Sequence, residues 1–558
     1  IQQEAASGDI TLLPQKTNLI YQTSLIYCFN DEQSLYYIDK EFNFYAFHIP
    51  TQKNEFIANL GKEIQERGKI SSIVHYHNSY FVGFLMDGIL LLEKQKETDH
   101  YQIQSLPINS GVFCLKKDRF QDVVWIGTDG QGVYLYSNPL YSIKSMVLSN
   151  YTEKIERPVR AIYLDDERTF WVGTKGNGIL KIYDYEFDKN ISDCRAEVLT
   201  TSNSALSSNA VYCFAKSHRN LLWIGDEEGL TYYSYREKRI KSIPIRIGNE
   251  DFKYIHDIYE TADSELWLAS VGMGVVKARI AGTPDNPVIV DAQRYIINDG
   301  ELGSNYFFTI YAENEANLLF GNKGYGVFRY NETTNGLEPV STHKYENMTL
   351  NNILAISKDS SNNYLFGTSY GLIKYTSETS YQLFNAKNGF LNNTIHAILR
   401  NSSDDFWLST NLGLINFDTK RNVFRSYGFG DGLKVVEFSD GAAFRDSQTG
   451  TLFFGGINGV VAIRADGRPE QLYMPPVYFD KLSIFGEQYN LGEFLTRKKE
   501  TEVLNLQYDQ NFFSVSFASV DYLNGNNCTY FYKLKGLSDQ WVNNGSESGV
   551  SFTNMAPG

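Results

Sequence analysis

The chain has 558 residues with 51 Lys plus Arg against 65 Asp plus Glu, a net charge of −14 that excludes the concentrated positive field a nucleic-acid partner needs. Aromatic residues reach 15%, led by 39 Tyr and 36 Phe, which points away from a helical bundle and towards a β-rich globular fold. The five cysteines (Cys28, Cys114, Cys194, Cys213, Cys528) form no CxxC pair and no metal-ligand spacing, so a disulfide framework, a zinc site and a cofactor are not expected.

The chain opens on IQQEAASGD, without the basic and apolar regions of a signal peptide, so any such segment is expected to have been removed. The apolar run from Tyr80 to Met86 is broken by Asp87, far short of the ~20 residues that cross a bilayer, and no transmembrane helix is expected. From there one pattern keeps returning: a β-branched or aromatic start, then an apolar doublet, often led by Trp, followed by Gly. Copies run FVGFLMDGILLL from Phe81, WIGTDGQGVYLY from Trp125, WVGTKGNGILKI from Trp171, WIGDEEGLTYY from Trp223 and WLASVGMGVVKA from Trp267. They continue as LFGNKGYGVFRY from Leu319, LFGTSYGLIKY from Leu365, WLSTNLGLINF from Trp407 and FFGGINGVVAI from Phe453. The preceding element starts at Ile26, Ile70, Val112, Val159, Val211, Ile255, Phe307, Ile353, Ile395 and Gly441, ten starts 42 to 52 residues apart.

Such a period, holding four short strand-like runs with Gly at the turns, predicts four-stranded β-propeller blades. Cys28, Cys114 and Cys213 share one repeat position with Ala161, Asp257, Ala355 and Ala397, which predicts a crowded slot for a small residue. Propellers close with 4 to 8 blades. Counting back from the last copy assigns residues 1–150 to the first blades of an incomplete ring and 151–466 to a seven-bladed propeller, with two five-bladed rings as the competing count. Pro469, Pro475 and Pro476 then stiffen a linker. EVLNLQY, FFSVSFASVDY, CTYFYKLKG and QWV predict strands of an Ig-like β-sandwich over 476–558, truncated at its end, which makes the fold class all-β.

At this point the WIGT…G copies resemble the propeller repeats of Bacteroidetes-type hybrid two-component sensors. The segment YGFGDGLKVVEFSDGAAFRDSQTGTLFFGGINGVVAI resembles that family's closing blade, and the tail with Tyr530, Tyr532 and Trp541 resembles its YYY domain. The resemblance implies the periplasmic ligand-sensing part of an inner-membrane regulator that detects an oligosaccharide and switches on polysaccharide-utilisation genes. It also implies a membrane anchor and output domains outside this chain. The family carries two seven-bladed propellers before the YYY domain, whereas ten blades are legible here.

Catalytic and metal motifs are sparse. GTDGQG and GTKGNG lack a following helix and a Walker lysine and read as strand turns. His75 and His77 have no third ligand nearby, Asp184, Asp188 and Asp193 read as an exposed loop, and Asn331 and Asn401 mark surface turns. Ligand-binding side chains are expected where inner strands begin and where the following turns converge on the ring axis. The starts supply Arg160, Tyr212, His256, Tyr306, Asn352 and His396; the turns supply Lys175, Asn177, Glu227, Met273, Lys323, Tyr325, Tyr370 and Asn411. A sugar needs flat aromatic faces for its C–H surfaces and planar polar groups for its hydroxyls, and Arg or Lys if it is acidic; this set holds all three. The expected function is a non-enzymatic oligosaccharide sensor, working as a homodimer. The alternatives are a propeller polysaccharide lyase or hydrolase and a protein-docking propeller.

Overall fold

The structure is a computed structural model that describes residues 2–3, 10–11, 25–95 except 32, 100–137, 141–150, 155–297, 305–340, 351–377, 380–390, 392–431, 433–465, 475–498, 501–522 and most of 528–555. Pro469 and the last three residues lie outside them. The described residues up to Ser137 and those from Tyr141 onward form two compact units.

The first unit holds two four-stranded antiparallel sheets, beginning at Leu25 and Ile70, and a three-stranded one beginning at Val112. Cys28 and Cys114 are exposed here, whereas Cys213 in the second unit is buried. Of the three, Cys213 alone is buried in the slot, although a Cβ on Gly127 would still lie 2.8 Å from the Cys114 Sγ. His77 Nε2 meets Asp122 Oδ2 at 2.6 Å while the His75 ring lies 4.7 Å from the Tyr80 ring, so the two histidines face different neighbours.

The second unit contains seven four-stranded sheets in succession, with inner strands Val159–Leu164, Val211–Lys216, Ile255–Glu260, Phe307–Asn314, Ile353–Lys358, Ala397–Arg400 and Phe438–Arg445. The seventh is completed from the other end of the ring: Tyr141–Val147 pairs antiparallel with Gly459–Ala465 as its outermost strand. That strand precedes the expected boundary at residue 151, and seven sheets, not five, lie inside the closure.

The repeat chemistry explains why these residues form these sheets. Each inner sheet face is buried on both sides, so Trp171, Trp223, Trp267 and Trp407 are fully enclosed. The Gly after the apolar doublet is required by contact: a Cβ on Gly173 would lie 2.7 Å from Val211 Cγ1 of the next sheet and 2.9 Å from the Ala161 Cβ. At Gly455 the same Cβ would strike Val159 Cγ1 at 2.5 Å, which brings the seventh sheet against the first. The turn that follows is tied by threonine, with Thr174 Oγ1 donating to the Gly178 carbonyl and Thr410 Oγ1 to the Gly413 carbonyl, both at 2.9 Å. Gly413 has φ +111, and a Cβ there would sit 2.1 Å from the Tyr427 carbonyl of the outer strand.

The insertion YDYEFDKNISD differs from the exposed loop expected of it. Tyr185 and Ile191 are buried in the first sheet's core, and both guanidinium nitrogens of Arg464 reach Asp188 at 3.0 Å. Its acids face solvent, but its apolar residues have a core to join that only the closed ring supplies.

After Pro475 and Pro476, Val477–Ile484, inside the expected sandwich but not among its expected strands, is a strand of a four-stranded sheet, between Glu487–Tyr489 and Phe513–Ser519, with Gly549–Phe552 at the far edge. Phe513–Ser519 and Phe531–Tyr532 fall inside the segments read as strands, and Thr501–Leu504 and Val542–Asn543 overlap theirs. The core here is small: Leu482, Ile484 and Val515 are buried, with Leu491, Phe494, Leu506 and Phe513 against them.

Candidate functional site

The inner strands share a local irregularity that builds the site. In the first five ring sheets the pairing skips one residue just after the strand begins, between Val159 and Ala161, Val211 and Cys213, Ile255 and Asp257, Phe307 and Thr309, and Ile353 and Ala355. A bulge of this kind re-aims the skipped side chain. The skipped residues are Arg160, Tyr212, His256, Phe308 and Leu354. The seventh sheet has a longer skip, from Phe438 to Ala443, which contains Asp440.

Five of these side chains, with His396 and Asn411, join in one run of contacts. The rings of His256 and Phe308 are 5.5 Å apart at 85°, and those of His256 and Tyr212 stack at 4.4 Å and 20°. The Arg160 guanidinium carbon lies 5.9 Å from the Tyr212 ring, and its Nη1 is 3.7 Å from Asp440 Oδ2. Asp440 Oδ1 meets His396 Nδ1 at 2.5 Å, and His396 Nε2 meets Asn411 Oδ1 at 2.6 Å. Five expected site residues are thereby brought together: Arg160, Tyr212, His256, His396 and Asn411.

The other expected residues stand apart from this run. Lys175 is exposed. Asn177 serves its own loop, its Oδ1 accepting from the backbone N–H of Glu156 and Arg157. Glu227 accepts from Ser208 Oγ at 3.4 Å, and Met273 Sδ from the Lys253 N–H. Lys323 Nζ lies 6.0 Å from the Tyr306 ring. Tyr325 and Tyr370 pack against the hydrophobic clusters between sheets, and Asn352 is half-buried just ahead of its strand. Tyr306 and Asn352 each fall two residues before the skipped position, so the residues that take it are Phe308 and Leu354. Counting one residue past each strand start would have found both. Asp440 was missed because its bulge is longer than the repeat's usual one.

Two cavities, of about 530 and 510 Å³, lie elsewhere, between the first and second ring sheets. The first is lined by outer-strand residues such as Glu197 and Lys241, the second by turn residues such as Asp166 and His218. Among the described residues no three metal-ligating side chains converge.

Electrostatics differ along the run. Burial, then the charge of Arg160, lowers the His256 imidazole to about 3, with Lys175 adding to this and Asp440 opposing it. Burial alone would raise the Asp440 carboxyl; the hydrogen bond and charge of His396, then the charge of Arg160, outweigh it and hold the group below its ordinary value. A pH prediction follows for His256. An unfolded imidazole takes a proton near 6.5 and the folded one only near 3, so stability is lost as pH falls below 6.5, by up to about 1.4 kcal/mol per unit. Asp226 and Asp257, raised by burial to about 6, have the opposite sign and return stability as pH falls below 6. They are common to the wild type and His256→Phe, so the difference between the two isolates the imidazole. Urea unfolding at pH 7, 6 and 5 should show His256→Phe losing less stability than the wild type; equal slopes would reject a neutral buried His256.

Comparison with known proteins agrees with this architecture. The Y_Y_Y domain family matches residues 521–558. Histidine kinase P4 of Formosa agariphila is 24% identical over 403 residues, 69% of this chain and 28% of that protein, so the chain spans well under a third of that relative's length. The extracellular domain of the putative hybrid two component system BT3049 from B. thetaiotaomicron is 23% identical, with a TM-score of 0.56 over 96% of this chain and 74% of that one. The corresponding domain of BT4673 is 17% identical, with a TM-score of 0.47 over 98% and 73%. The chain is thus similar to the extracellular domain of a putative hybrid two component system and carries the Y_Y_Y match that its tail indicated, and its fold is the expected all-β propeller class.

Proposed function

We propose that this chain is the extracytoplasmic ligand-sensing region of a membrane-anchored signal-transduction regulator, on the periplasmic side of the inner membrane. In this reading the ring binds an oligosaccharide, and occupancy controls polysaccharide-utilisation genes without chemistry on the sugar. The observation that carries it is the run His256–Tyr212–Arg160–Asp440–His396–Asn411. It sets flat ring faces beside planar donors and acceptors, the combination that recognises a sugar's C–H face and hydroxyls together. Signalling requires that the ligand prefer one arrangement of paired sensors, so a homodimer whose geometry changes on binding is part of the reading.

A thermal-shift screen against an oligosaccharide panel, with the supernatants assayed for cleavage, tests it. A ligand at about 100 times its Kd adds roughly 2.7 kcal/mol to the folded state. Tyr212→Ala removes the stacking face and should weaken the ligand about tenfold, or about 1.4 kcal/mol. Cleaved sugar would replace the reading with a propeller lyase or hydrolase. Binding of peptides and of no saccharide would replace it with a docking platform.

A further inference from the structure

We infer that the axial cluster takes a saccharide bearing an oxyanion, a carboxylate or a sulfate ester, with Arg160 as its main partner and Lys175 beside it; this rests on the sensing reading above. The first ground is the state of Arg160. A guanidinium offers five N–H donors in a planar fork. At Arg160 the side chain is only 14% exposed, its buried Nε has no hydrogen-bond partner among the described residues, and its one acidic neighbour, Asp440, stands at 3.7 Å, beyond hydrogen-bond length. Arg219, Arg329 and Arg425 share the unpartnered buried Nε, but Arg219 and Arg329 bond through their Nη nitrogens, and other forks are closed by carboxylates. Arg464 makes two 3.0 Å bonds to Asp188, and Arg168 makes a 2.8 Å bond to Asp446.

Asp440 offsets the charge of Arg160 but does not fill its fork, since it stands at 3.7 Å and its other oxygen is engaged by His396 at 2.5 Å. A carboxylate or sulfate placed against the fork would make the charge-assisted pair that Asp440 does not complete, with bonds near 2.8 Å and about twice the strength of neutral ones. The Tyr212 ring flanking the guanidinium supplies the face on which the sugar carrying that group would rest.

The second ground is charge placement. The chain carries −14 overall, yet among the described residues no carboxylate lies within 4.0 Å of Lys175 or Lys323, two of the side chains at the inner-strand turns. Lys253, in a neighbouring turn, is paired with Glu228 at 2.5 Å. Lys175 stands against the same bulge as Arg160, its N–H donating to the Pro158 carbonyl at 2.9 Å and Thr174 pairing with Val159. Asp440 belongs to the same cluster, which limits the site to one oxyanion and leaves that carboxylate to accept a sugar hydroxyl.

Isothermal titration of the full chain with tetrasaccharides of galacturonan and mannuronan, carrageenan and neutral galactan and mannan tests the inference. The uronates and the sulfated probe separate the two oxyanion sources. The expected result is at least one anionic tetrasaccharide bound tenfold or more tightly than every neutral one, with that advantage shrinking as salt is raised. Arg160→Gln should abolish the advantage, and Arg160→Lys should restore part of it by returning charge without the fork. Lys175→Gln, at an exposed side chain, should reduce it severalfold and carries the test if Arg160→Gln does not fold. Neutral sugars bound as tightly as anionic ones, or a preference that survives both glutamine variants, would overturn the inference while leaving the sensing reading in place. Binding of no saccharide at all would remove both.

Discussion

Gly225→Val is expected to lower the melting midpoint of the ring by about 4–5 °C, whereas Gly336→Val leaves it nearly unchanged. Both glycines lie in or beside strands of the same ring, so the contrast isolates the slot. A Cβ at Gly225 would lie 2.5 Å from Cys213 Sγ, 2.8 Å from Ile255 Cγ2 and 2.9 Å from the Ile255 carbonyl oxygen, while the nearest atoms to one at Gly336 are 3.8 Å away. Cys213 and Ile255 are themselves buried, and Ile255 opens the inner strand of the next sheet, so relief requires the two sheets to separate. Overpacking costs about 1–3 kcal/mol where neighbours can shift, and a branched side chain against a backbone carbonyl belongs at the upper end. At about 2.1 cal/mol/K of unfolding entropy per residue, a ring of this length shifts about 1.5 °C per kcal/mol, and the midpoint shift follows. Differential scanning calorimetry of both variants measures it. Equal midpoints would mean that the repeat glycine is not a spacer between sheets.

Met146→Asp should cost about 3–5 kcal/mol, more than the same change at Val198, because it charges the strand that closes the ring. Met146 is fully buried, lies on the outermost strand of the seventh sheet opposite Val460, and packs in a core shared with Val159 and Phe170 of the first sheet. Val198 lies on the first sheet's own outer strand and only borders that core. An aspartate at Met146 therefore faces a choice between an unpaired buried charge and release of the strand, and release exposes the core between the two sheets that the closure joins. Chemical denaturation with matched variants gives the two values. A smaller cost at Met146 than at Val198 would show that the ring holds without its seventh-sheet closure.

Much of this molecule is determined by short-range sterics, and those are legible in a sequence. The inner strands begin at Ile70, Val112, Val159, Val211, Ile255, Phe307 and Ile353, as the repeat indicates, because a large apolar residue followed two positions on by a small one, Gly or Ala, recurs where one sheet stacks on the next. The tail strands were legible for the same reason, through alternation in FSVSF, although Val477–Ile484 was hidden behind two prolines that suggested linker.

What only the tertiary structure decided is what depends on segments far apart in the chain. The partner of Tyr141–Val147 is Gly459–Ala465, and nothing local to either marks the other. That same closure supplies Arg464 to Asp188 and a core to Tyr185, which converts an apparent loop into a packed one. The axial site behaves likewise. Each bulge re-aims one side chain by a residue, so Phe308 and Leu354 displace Tyr306 and Asn352, and Asp440 reaches Arg160 and His396 only because the first and seventh sheets meet. Sequence fixes which residues can stack; which of them face one another is set by the free energy of closing the ring.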